Sequence, residues 1–213
     1  MQQYEDMLSY IIWEKGYTDM KDNLCQLLFA FDYALIPPGH GDEASKALKA
    51  FVNDVKKTDK EIRVSAISFN EGEEVKVVNQ PIEKVKLPKF GVGSNSTGAC
   101  SMLDKTSKMM DDIGIRLTNT PEEERPSKVI LTIVVFGRDN ASKNCTYEKL
   151  HDMIALQRDV YKWQFYLMTD FSINMEKLGI AEDDTIMIKR VKGDWFKEPF
   201  KELSDKIVGL LQG

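Results

Sequence analysis

A chain of 213 residues, 42% hydrophobic and 30% charged, is long enough to bury a sizeable core and too short for a second full domain. Its net charge of −5 and pI near 5.2, with lysines and glutamates interleaved, carry no footprint for nucleic acid or for an anionic membrane surface. The three cysteines form no C-x-x-C pair, no apolar run approaches membrane-spanning length, and the start "MQQYEDMLSY" carries acids where a signal peptide carries basic residues; a reduced, soluble, cytoplasmic protein is expected.

Residues 1–20 read as an N-terminal leader, helical over about 2–15, and residues 21–213 as one domain. From there apolar runs of strand length alternate with stretches of helical period, which is the pattern of an α/β sheet. Strands are predicted over 24–31, 63–70, 74–78, 128–136, 164–169 and 185–189. The runs "QLLFAF" and "VILTIVVF" are apolar at successive positions, as central parallel strands covered on both faces must be. Helices are predicted over 42–57 with Asp42 as N-cap, 98–113, 147–160 and 195–211, where Pro199 fits only within the first turn. The stretch "SFNEGE" at 68–73 makes the second and third strands a hairpin, so one edge of the sheet is antiparallel. The least structured stretches are 79–96 and 117–126. The expected fold is a doubly wound, mostly parallel six-stranded sheet with helices on both faces.

The order of landmarks resembles a known family. An apolar strand ending in Asp32, a Gly/Ser-rich loop holding Thr97, and a second apolar strand followed by "GRDNAS" are similar to the von Willebrand factor A (VWA) domain of the bacterial cytoplasmic type. The resemblance covers most of 24–211. It implies a ligand site at the topological switch point, above the carboxyl ends of the two central strands. In the family a Mg²⁺ or Mn²⁺ ion sits there in a metal-ion-dependent adhesion site, held by D-x-S-x-S, a G-x-T threonine and a T-D-G aspartate, and a partner's carboxylate completes its shell of oxygens. Carried onto this chain, Asp32 and Thr97 are kept, whereas the two serines fall on Ala34 and Ile36 and the second aspartate on Phe136, with Gly137 kept. Three of these five positions have lost their oxygen donors, so the resemblance implies a degenerate site without a cofactor. Asp32, left without a cation, is expected to serve as a local cap.

Other chemistry has little support in the residues. The loop "GVGSNSTG" at 91–98 lacks the G-K-[ST] ending of a phosphate loop. His40 and His151 stand in no nucleophile–base arrangement, and Arg138 is the simplest counter-charge for Asp139. No enzyme is expected. The expected function is a non-enzymatic protein–protein interaction module that works without metal, with Tyr33, Pro38, His40, Asn95 and Arg138 as candidate partner contacts on the switch-point loops. The alternative is a residual metal-dependent binder in which Ser94, Ser96 or Asp139 replaces the lost ligands. A rival interface is the leader, whose Tyr4, Met7, Leu8, Ile11 and Ile12 form one apolar stripe.

Overall fold

The computed structural model of the chain describes residues 20–31, 39–69, 76–86, 99–170, 175–190 and 193–213. Six strands, β1 (Lys21–Phe31), β2 (Glu61–Ser68), β3 (Lys76–Pro81), β4 (Pro126–Val135), β5 (Gln164–Thr169) and β6 (Thr185–Met187), form one sheet in the order β3-β2-β1-β4-β5-β6. All neighbours pair in parallel except β2 and β3, which are antiparallel at one edge, as the turn chemistry predicts.

Among the described residues four helices cover the two faces: α1 (Gly41–Val55), α2 (Met102–Thr118), α3 (Tyr147–Asp159) and α4 (Lys197–Gln212). Successive side chains on a strand point to opposite faces, so the two central runs divide their residues between two cores. Leu27, Phe29 and Phe31 of β1 and Ile130 and Val134 of β4 pack with Phe51 and Val55 of α1 and Phe200, Leu203 and Ile207 of α4. Leu28, Ala30, Leu131, Ile133 and Val135 pack with Met102, Met110 and Ile113 of α2 and Leu150 and Ile154 of α3. The methionines of α2 are core filler, and the three cysteines are free and buried. No described helix is long and apolar enough to cross a membrane.

Element ends differ from the sequence reading where long-range bonds set them. β1 starts at Lys21, which donates from its backbone to Arg125 (3.0 Å) and pairs through Nζ with Glu61 (2.5 Å). α1 starts at Gly41, so Asp42 is not its N-cap; the capping position belongs to His40, which makes no side-chain cap bond. Asp42 and Glu43 lie in the first turn, where negative charge suits the helix dipole. α2 starts four residues later than predicted and runs to Thr118, so the stretch 117–126 is less irregular than expected. Ile115, outward and exposed, breaks the apolar period without breaking the helix. β3 occupies 76–81, and β6 ends two residues early although Ile188 N still donates to Thr169 O at 2.7 Å. α4 starts at Lys197 because Asp194 Oδ1 accepts from Phe196 N (2.9 Å) and Lys197 N (3.0 Å). Pro199 falls in its first turn as predicted. Residues 1–19 of the leader lie outside the described residues.

Candidate functional site at the carboxyl end of the sheet

The chain leaves β1 toward β2 on one side and β4 toward β5 on the other, so the crevice of this sheet opens above Phe31 and Val135. Phe136 continues the inward alternation of Ile130 and Val134. Its ring is 6% exposed and stands edge-on to Phe196, with centroids 5.6 Å apart and planes at 77°. Of the five positions matched to the family's metal ligands, this is the one among the described residues, and it is filled by an apolar plug. Asp32, Ala34, Ile36 and Thr97 lie outside the described residues, as do Tyr33, Pro38 and Asn95.

The residues that follow Phe136 are spent on holding the loop to the start of α2. Asp139 Oδ2 accepts from Leu103 N (2.8 Å) and from Ser142 Oγ (2.7 Å), and its Oδ1 accepts from Ser142 N (3.1 Å). Asp139 therefore caps α2 across a long chain separation, while the local candidate, Ser101, turns its hydroxyl to Phe69 O (2.8 Å). Asn140 Oδ1 accepts from Cys100 N at 2.8 Å, and Cys100 O accepts from Asn140 N and Ala141 N at 3.1 Å each. A second lace runs the other way: the Asp104 carboxylate accepts from Lys143 N (2.8 Å), Asn144 N (2.9 Å) and Cys145 N (2.7 Å). Burial pushes the Asp104 carboxyl up, but these backbone donors outweigh it and hold it below the ordinary carboxylate range. The "GRDNAS" landmark is thus a loop-to-helix staple. Arg138 is exposed, and the Asp139 carboxylate turns instead to Leu103 and Ser142.

A third group gathers around Trp195, the residue before Phe196. Asp170, the residue after β5, has a side chain only 2% exposed; Arg190 Nε donates to its Oδ2 at 2.5 Å, and the guanidinium lies 5.7 Å from the centre of the Trp195 ring. His40 stacks on the same indole with centroids 3.8 Å apart, and its Nδ1 is 2.7 Å from Glu43 Oε2. The sequence reading missed this assembly. The signal available was the one applied to Asp32, an acid at the carboxyl end of a buried strand, which Asp170 also satisfies. Asp170 Oδ1 is buried without a hydrogen-bond partner.

A divalent cation of the Mg²⁺ kind needs about six oxygens in a near-octahedral array. The described residues do not fit one: Phe136 offers no donor, Asp139 is turned to the α2 amides, Asp170 is paired with a guanidinium, and no group of three or more His, Cys, Asp or Glu side chains converges among them.

No family profile matches the chain, and no curated protein matches it in sequence. Solved structures match it in fold. Proximal thread matrix protein 1 of the mussel byssus, in its second crystal form, superposes with a TM-score of 0.53 at 13% identity over 88% of this chain and 46% of that one. The same mussel protein with a zinc-occupied MIDAS motif gives 0.52 at 13% identity over the same shares, 88% and 46%. Manganese-loaded TRAP protein of Plasmodium vivax gives 0.43 at 10% identity, over 85% of this chain and 72% of that one. This chain spans less than half the length of the mussel protein. The six-stranded, mostly parallel sheet with one antiparallel edge, matched by the mussel structures, is an α/β fold of the VWA type.

Proposed function

We propose that the chain is a non-enzymatic protein-binding module of VWA type that engages a partner protein without a metal ion, through the loops at the carboxyl end of its sheet. The observation that carries this reading is the buried Phe136 ring where the family places an aspartate. An apolar side chain packed at that position replaces both the carboxylate and the space for metal-bound water. Asp139, a potential substitute ligand, is committed to the start of α2. His40 and His151 are each drawn to a neighbouring carboxylate, at 2.7 Å and 3.2 Å, and neither is placed against a described nucleophile. The free, buried thiols suit a reducing compartment such as the cytoplasm. Among the candidate contacts, Arg138 is exposed at this end of the sheet, while half-buried His40 is stacked on Trp195.

The test is cross-linking from a photoreactive residue placed at position 138, in an extract of the source cells containing EDTA. Capture of one protein, lost in the double variant Tyr33→Ala, Arg138→Ala, is the expected result. Capture only after Mg²⁺ is restored overturns the metal-free reading, and capture that survives the double variant but not removal of residues 1–15 moves the interface to the leader.

A further inference from the structure

The antiparallel edge carries a second surface, built from the middle of β2, from β3 and from the second half of α2. A groove of about 390 Å³ lies there, lined by Ser65, Ile67, Val78, Met109, Ile115 and Arg116 among others. Val78 and Ile115, at 55% and 63% exposure, are two of the few large apolar side chains left to solvent among the described residues, and both belong to this groove. Exposed apolar groups gathered at one concavity mark contact surfaces, whereas scattered ones need no explanation.

Among the described residues the groove also holds a cation without a counter-ion. Arg116 is half-buried; its NH2 donates to Gln26 Oε1 at 2.8 Å, and its Nε is shielded from solvent with no acceptor. A carboxylate one helical turn earlier is the usual partner of such a residue. Asp112 occupies that position but is held by Lys108 Nζ, at 3.0 and 3.2 Å from its two oxygens. Gln26 cannot turn away, because its Nε2 donates to Arg63 O (3.2 Å) and Ser65 Oγ (3.3 Å). Glu61, the acid two residues before Arg63 on β2, is taken by Lys21 and by Arg63 (3.3 Å). Burial, followed by the charge of Arg63, pushes the guanidinium below its ordinary value, yet an arginine stays charged. A half-buried guanidinium beside a second arginine is stabilised most by an incoming carboxylate.

We propose that this groove docks a segment of a partner protein that presents an apolar side chain beside a carboxylate, the carboxylate pairing with Arg116 and the apolar side chain packing between Val78 and Ile115. Side chains carry the recognition, because Asn79, at φ +49°, and Pro81 interrupt the outer edge of β3 and limit strand addition to it. The acidic balance of the whole chain and the apolar rim favour a protein segment over a nucleic acid. This surface is distinct from the carboxyl-end loops and stands whether or not those loops bind.

The test titrates the full chain, labelled with ¹⁵N, with a capped hexapeptide centred on Leu-Asp-Leu and with its Leu-Asn-Leu counterpart. Saturable shifts at the amides of Val78, Ile115 and Arg116 are expected, with the Asn peptide about tenfold weaker or more. Arg116→Met should bring the Asp peptide down to the level of the Asn peptide, and Ile115→Ser should weaken both. The comparison of the two peptides on the unaltered chain does not depend on either variant folding. Equal affinities, or no saturable shift at these amides, overturn the proposal. So does competition by a single-stranded oligonucleotide, which assigns the groove to nucleic acid, or sedimentation of a dimer that Ile115→Ser dissociates, which assigns it to a second copy.

Discussion

Phe136→Ala removes a ring that is 6% exposed and packed edge-on to Phe196 at 5.6 Å. Returning a buried phenylalanine side chain to water costs about 2–3 kcal/mol. Loss of the edge-to-face contact adds about 1 kcal/mol. With the void that remains, the total comes to roughly 3–5 kcal/mol. That is a large share of the roughly 5–15 kcal/mol by which native proteins are stable. Phe136→Asp should cost at least as much, since it places a carboxylate in an apolar cluster. The assay is urea unfolding followed by circular dichroism, on Phe136→Ala, Phe196→Ala and the double variant. The two rings should show a coupling of about 0.5–1.5 kcal/mol beyond additivity. A cost below about 1 kcal/mol for Phe136→Ala, or strictly additive effects, would refute the plug and with it the register that places Phe136 at the family's aspartate.

Asp104→Asn should destabilise by roughly 1–2 kcal/mol, since it weakens the charge-assisted bonds that lace the loop after β4 to α2. The folded-state pKa of Asp104 lies below its unfolded value near about 3.9, so this contribution is complete above that pH and is lost as the pH falls through the depressed folded value. The variant should therefore lose part of the acid sensitivity of unfolding below about pH 4; an unchanged acid limb in a pH series of melting curves argues against the lace. All three cysteines are buried, and burial pushes the Cys25 thiol up to about 12. None should react with a thiol reagent at neutral pH until denaturant is added, and mass spectrometry of the briefly labelled native protein checks this.

The sheet was legible in the sequence because its signals are local. Two runs apolar on both faces mark β1 and β4 as the centre, and the Asn/Gly-rich turn marks β2 and β3 as antiparallel. The inward faces of α1, α2 and α4 follow from helical period, including Phe51, Met110 and Phe200. Element starts were less legible where the cap comes from elsewhere in the chain. α2 begins at Met102 because Asp139, 36 residues beyond Leu103, accepts its amide, and no window along the sequence contains both. The site divides in the same way. The register from "VILTIVVF" into "GRDNAS" places Phe136 at the end of β4, and its burial follows from the alternation of that strand. The stack of His40 on Trp195, and the clamp of Arg190 on Asp170, join residues from distant loops with no motif spacing to reveal them. Arg116 lies beyond the helix predicted over 98–113, and only the fold shows that Asp112, one turn earlier, is spent on Lys108.

The measurement that bears most directly on a metal-free module is thermal unfolding of the full chain in EDTA and then in millimolar Mg²⁺ or Mn²⁺. A ligand that binds only the folded state raises its stability by mass action, by about 2.7 kcal/mol at a hundredfold excess over Kd. With Phe136 buried where the family's aspartate would stand, the account predicts the same melting midpoint in all three solutions. A reproducible rise with Mg²⁺ or Mn²⁺ that EDTA reverses would contradict it and assign the switch point to a bound cation.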